Sequence, residues 1–168
     1  MTKHIAWTTI ALLAGIGTPI GTASADSGRE FVNGPRAALS ATLPFTDAVR
    51  VGDTLYVSGT LGLDPKTGRA VEGVEAEAHA AMDSVKAAVE RAGFTMDDVV
   101  SVQVYCTDLT LYDVFNGVYR GYFAHEFPAR AFIGVKELLR GAHFEVMSVA
   151  VRGPAAPKAP QTPPPSGK

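Results

Sequence analysis

Along the middle of the chain the apolar positions change period repeatedly, and each change marks an element. Ala48-Val49-Arg50-Val51 and Thr54-Leu55-Tyr56-Val57-Ser58 are dense in β-branched and apolar residues, with Gly52-Asp53 between them. That two-residue spacing predicts a β-hairpin. Asp64-Pro65-Lys66-Thr67-Gly68 is a second turn, punctuated by Pro and Gly. From Val74 the period lengthens: Val74, Ala78, Met82, Val85, Val89 and Ala92 recur at helical steps, while Glu75, Glu77, Asp83, Lys86, Glu90 and Arg91 take the other sides. This predicts an amphipathic helix that Gly93 closes. Val100, Val102, Val104 and Cys106 then alternate with Ser101, Gln103, Tyr105 and Thr107, the mark of a half-buried strand. A second helix follows, with Asp108 or Thr110 as its N-cap and Leu111, Val114, Phe115, Val118, Tyr119 and Tyr122 on its apolar side. Pro128 ends any helix, and residues 129–135 and 143–152 predict two further strands joined by a loop around 138–142.

The order ββ-α-β-α-ββ mixes hairpins with crossovers and predicts an α+β fold, one mixed sheet with two helices on one face. Two helices cover only one side of such a sheet. The other side is expected to carry Phe45, Tyr56, Phe132 and Met147, and packing it against other copies of the chain predicts a closed cyclic homo-oligomer. A monomer with a partly apolar face is the alternative.

The two ends of the chain have a different character. Residues 1–25 have the pattern of a secretory signal peptide: Lys3 near the start, an apolar run over 5–16, and Ala23-Ser24-Ala25 as a cleavage site. The run falls short of the ~20 residues of a spanning helix, so the expectation is export, periplasmic or secreted, with no membrane attachment after cleavage. Residues 26–37 read as a short polar leader and 38–153 as the folded unit. Residues 154–168 read as a proline-rich tail too poor in apolar groups to order itself.

Composition narrows the chemistry. Fifteen Lys and Arg against 17 Asp and Glu give 168 residues a net charge of −2, which argues against nucleic acid as the main partner. A single cysteine makes no internal disulfide, and Cys106, set among valines, reads as a buried small hydrophobe. His4, His79, His125 and His143 show no paired ligand spacing, so no metal is expected. No phosphate loop, dinucleotide fingerprint or nucleophile elbow occurs, and no cofactor is expected.

Arg130 stands out. In Phe127-Pro128-Ala129-Arg130-Ala131-Phe132-Ile133-Gly134-Val135, alternation predicts Ala131, Ile133 and Val135 under the helices and Arg130 on the opposite face with Phe132 and Gly134. A guanidinium in an apolar interface needs a carboxylate. That carboxylate belongs either to Glu145 or a neighbouring subunit's acid, or to a ligand held by two parallel hydrogen bonds.

The ordered set Val51-Gly52-Asp53-Thr54-Leu55-Tyr56-Val57-Ser58-Gly59, Asp64-Pro65-Lys66-Thr67-Gly68, Phe127-Pro128-Ala129-Arg130 and Glu145-Val146-Met147-Ser148-Val149-Ala150-Val151 resembles the RidA/YjgF family of enamine/imine deaminases. The resemblance covers residues 38–153. It implies a chorismate-mutase-like α+β fold, a homotrimer with clefts between subunits, and hydrolysis of 2-imino acids to 2-keto acids and ammonia. It also implies Arg130 as the clamp on the substrate carboxylate, Ser58 and Gly59 as the strand end lining the cleft, and Asn116 as the family's helix asparagine. Three departures accompany it: Met147 stands at the position matched to the catalytic glutamate, Phe45 at that of a cleft tyrosine, and Phe132 at that of a cysteine. Glu145 lies one strand step from Met147 on the same face and is the candidate base. The alternatives to a hydrolase are a non-catalytic trimer that binds small carboxylate or aromatic metabolites, and a chaperone-like protein. In the hydrolase and the binder the expected occupant of the cleft is a small carboxylate-bearing ligand, whereas the chaperone-like protein would hold clients on its apolar patches.

Overall fold

The computed structural model describes residues 28–34 and 43–153. They form β1 (Arg29–Val32), β2 (Ala48–Val51), β3 (Thr54–Leu61), α1 (Val74–Arg91), β4 (Val99–Cys106), α2 (Tyr112–Arg120), β5 (Ala129–Gly134) and β6 (Phe144–Val151). The six strands make one sheet in the order β1-β2-β3-β6-β4-β5, parallel only between β4 and β5. The fold is α+β, with both helices on one face of a mixed sheet, as the periodicity predicts.

Local chemistry fixes the element ends. Val51 pairs with Thr54 across Gly52, which takes φ 59°, so the two-residue hairpin forms where the sequence placed it. Helix α1 ends in a Schellman arrangement: Gly93 at φ 78° donates its N–H to Glu90, and the Phe94 N–H reaches back to Val89 at 3.0 Å. Asp108 caps the single 3-10 turn that precedes α2, its side chain accepting from Thr110. On the helix-covered face, Leu55 and Val57 of β3, Val102, Val104 and Cys106 of β4, and Phe144, Val146 and Ala150 of β6 are buried. They pack against Ala78, Met82, Val85 and Val89 of α1 and Phe115, Val118 and Tyr119 of α2. Burying each of the larger side chains contributes about 1.5–3 kcal/mol, which is what holds the helices to the sheet.

Some expectations change. The stretch read as a leader contains β1, which pairs along β2 in register Phe31↔Val49; the sheet therefore starts before residue 38. Val114 is exposed and Asn116 is buried in its place. Glu77, assigned to the polar side of α1, is fully buried. The reading of β5 was inverted. Arg130 and Phe132 pair with Val102 and Val104 and so lie on the helix-covered face, whereas Ala131 and Ile133 lie on the open face, exposed. The reason is that β5 is an edge strand, half-solvated on both sides, so the polarity of its residues does not report which side faces the helices. Residues 1–27, 35–42 and 154–168, with the expected signal peptide, part of the leader and the proline-rich tail, lie outside the described residues.

Candidate functional site

The site consists of two groups of residues on opposite faces of the sheet. The first is built around Arg130, half-buried on β5 and aimed at α2. Its Nη2 donates to Asn116 Oδ1 at 2.7 Å, and the Tyr112 hydroxyl lies 3.5 Å away. The Tyr119 ring lies 4.5 Å from the guanidinium, with the Tyr112 ring at 5.7 Å and the Phe132 ring at 5.8 Å. Tyr112 and Phe132 meet edge to face at 5.0 Å and form the outer wall. Among the described residues Arg130 forms no ion pair: of the two partners expected from the sequence, the internal acid Glu145 is on the other face. The guanidinium is thus held in place by a neutral amide and aromatic faces, with donors left over for an anion. Burial pushes the Tyr119 hydroxyl up to about 12, the nearby Arg130 charge offsetting part of that rise.

Tyr112, Asn116 and Tyr119 occupy one stripe of α2 at helical spacing. Tyr112 was not singled out by sequence and Tyr119 was assigned only to the core. The signal that could have found them was the polar Asn116 sitting between two tyrosines on a helix's inner side.

The second group lies on the open face. Glu145 and Met147 point there from β6, paired with Tyr105 and Gln103. On β3 the register shifts between Val57 and Thr60, so that Ser58 and Gly59 together stand opposite Met147. The bulge serves a purpose: a Cβ on Gly59 would lie 2.0 Å from Glu145 Oε1, so the carboxylate occupies the space that the missing side chain leaves. Ser58 anchors the incoming segment, its Oγ donating to the Thr46 carbonyl at 2.6 Å and its N–H to the Asp47 carbonyl at 3.0 Å; the exposed Phe45 immediately precedes these residues. Glu145 forms no ion pair among the described residues.

Ser58, Gly59, Glu145 and Met147 are therefore brought together, with Phe45 next in the chain to the Thr46 that Ser58 holds, and Arg130, Asn116 and Phe132 are brought together, but the two groups are not. Arg130 lies level with Ser148, two strands from β6 and on the other side of the sheet. Two strand spacings alone separate them by about 10 Å. One chain cannot present both to one small molecule. No group of His, Cys, Asp and Glu suited to a metal ion occurs among the described residues. Cys106 is buried, and burial raises its thiol above the ordinary value, in keeping with a packing role.

Comparison with known proteins matches residues 35–152 to the family described as Endoribonuclease L-PSP. A 2-iminobutanoate/2-iminopropanoate deaminase of Bos taurus is 38% identical over 112 residues, 66% of this chain and 82% of that protein. The crystal structure of RidA from the Antarctic bacterium Psychrobacter superposes with a TM-score of 0.62 at 38% identity, covering 65% of this chain and 89% of that one. That of Escherichia coli TdcF with bound serine gives a TM-score of 0.63 at 29% identity, covering 66% and 89%.

Proposed function

We propose that this chain, which belongs to the Endoribonuclease L-PSP family, also called RidA/YjgF, hydrolyses 2-imino or enamino acids to 2-keto acids and ammonia in clefts between identical subunits. The observation that carries the reading is Arg130: a positioned guanidinium with no carboxylate partner among the described residues, beside an apolar wall. Such a group binds a small carboxylate by two parallel hydrogen bonds and fixes the adjacent C=N carbon in space.

A protonated imine is already electrophilic, so little further machinery is needed. Glu145 of a second copy accepts a proton from water as the water oxygen bonds to the imine carbon. Glu145 then passes that proton to the nitrogen of the carbinolamine, the C–N bond breaks to release ammonia, and the hydroxyl returns its proton to the Glu145 carboxylate as its oxygen becomes the keto oxygen. Glu145, not Met147, takes the role of the base. Its carboxylate rests in the space over Gly59, and a thioether accepts no proton at neutral pH. A closed homotrimer joins the two groups of residues, and the exposed Phe45, Tyr56 and Met147 are the surface it covers. The signal-like pattern of residues 1–25 adds export to the proposal. A net charge of −2 gives the family's ribonuclease description no electrostatic support in this chain.

The test generates 2-iminobutyrate or 2-iminopropionate in the assay and follows keto-acid formation. The expected result is acceleration by the protein, a rise in KM of tenfold or more for Arg130→Ala, and a fall in kcat of about a hundredfold for Glu145→Gln. Met147→Leu leaves both within a small factor. No acceleration by the unaltered protein overturns the hydrolase reading. Arg130-dependent protection of the protein by small carboxylates, without turnover, supports the binding reading instead.

A further inference from the structure

The buried carboxylate of Glu77 plays no part in the chemistry above, yet all three of its hydrogen-bond donors belong to the two residues that precede Glu145. Oε1 accepts the backbone N–H of His143 at 2.5 Å and that of Phe144 at 3.0 Å, and Oε2 lies 2.7 Å from His143 Nδ1. The side chain is 1% exposed, whereas that of His143 is 45% exposed. Burying a carboxylate is costly, and what offsets that cost here is three donors of a single segment, which would lose their partner if the acid were removed.

What the acid does is fix the start of β6. The loop before that strand runs through Arg140 at φ 64° and Gly141 at φ 74°, an irregular lead-in that would not by itself set where the strand begins. Glu77 sits in the first turn of α1, and that turn is itself pressed onto the end of β3: a Cβ on Gly62 would lie 2.1 Å from the Glu77 carbonyl oxygen. Glu77 thus links the residue that follows β3, three positions beyond the bulge that makes room for the Glu145 carboxylate, with the strand that carries it.

Resting on the hydrolase reading of Glu145, we propose that Glu77 is a positioning residue: by holding the His143 and Phe144 amides it sets the place of the Glu145 carboxylate. Displacement of a reacting group by about 1 Å costs on the order of a hundredfold in rate.

The experiment compares Glu77→Gln, Glu77→Leu and the shorter Glu77→Asp in the full chain, alone and combined with Glu145→Gln. Gln keeps an oxygen for both amides, so Glu77→Gln stays within threefold of the unaltered kcat. Glu77→Leu loses kcat by tenfold or more with KM within twofold, and Glu77→Asp, which retracts the carboxylate, shows the same split if the Leu variant does not fold. In the Glu145→Gln background the Glu77 substitutions cost nothing further, because their effect passes through Glu145. A loss of folded protein alone would instead multiply with the Glu145→Gln loss. Amide exchange gives a second readout: the His143 and Phe144 amides exchange at least tenfold faster in the Leu or Asp variant and return to normal with Gln. Unchanged kcat, losses that multiply in the double variant, or unchanged exchange each overturn the proposal. If the unaltered protein accelerates no imine hydrolysis, the hydrolase reading fails instead, and exchange alone decides whether Glu77 anchors β6.

Discussion

Gly59 and Glu145 show how a single missing side chain shapes the open half of the site. The atom that a Gly59→Ala methyl would meet is the far end of a flexible carboxylate, not backbone. That substitution therefore pushes Glu145 aside at little cost to the fold. The expected outcome is a change in stability under about 1 kcal/mol with a fall in kcat of tenfold or more, read by denaturant titration alongside the imine assay. Tyr119 makes the opposite case. Its hydroxyl is buried without a partner among the described residues, while its ring supports Arg130. Tyr119→Phe keeps the ring and removes the unsatisfied oxygen, so it should raise stability by about 1 kcal/mol and leave KM unchanged. The same hydroxyl makes stability depend on pH. A tyrosine held at about 12 in the folded state, above its ordinary value near 10, contributes stability that is present below pH 10 and lost as pH rises through 12. Denaturation followed between pH 9 and 12 should show this loss in the unaltered protein and a smaller one in Tyr119→Phe.

At the scale of elements, the sequence was readable where one side of an element is wet and the other dry. The alternation of β4 from Ser101 onward and most of the helical period of α1 carry their own burial pattern, although Val100, expected inside, is exposed and Val99 buried because the register shifts between Val99 and Ser101. Gly52 and Gly93 mark ends that only a left-handed residue makes easily. It was misleading where that contrast is weak. On β5 the apolar Ala131 and Ile133 are the exposed ones, and only the parallel register with Val102 and Val104 assigns Arg130 to the helix side. That register is a long-range fact, set by the crossover through α2. Glu77 was hidden for the complementary reason. Periodicity sorts residues by average polarity, and a carboxylate that is buried because three donors converge on it looks, in sequence, like any solvated glutamate. Of the site, Arg130 stood out from its apolar strand, Asn116 and Gly59 from the family resemblance, and Glu145 from its spacing to Met147, which also gave its face correctly; the face of Arg130 was not legible.

For the whole molecule, the face assignment turns from a correction into an argument for assembly. Had Arg130 shared the open face with Glu145, one chain could have held a complete site. Because the two lie on opposite sides of the sheet, the proposed site needs Arg130 from one copy and Glu145 from another. That requirement predicts complementation. Assayed well below KM, Arg130→Ala alone keeps about a tenth of the unaltered activity or less and Glu145→Gln about a hundredth. Co-refolded in equal amounts, they assemble at random, and a cleft that draws its arginine from one variant and its glutamate from the other is intact. In a closed ring with one kind of interface, about one cleft in four has both groups, so the mixture should recover about a quarter of the unaltered activity. Simply mixing the folded variants without subunit exchange should recover none. A site completed within one chain would recover nothing under either protocol, and a mass measurement showing a monomer would remove the shared cleft altogether. The exposed Phe45, Tyr56 and Met147 would then remain uncovered, apolar side chains with no function assigned to them.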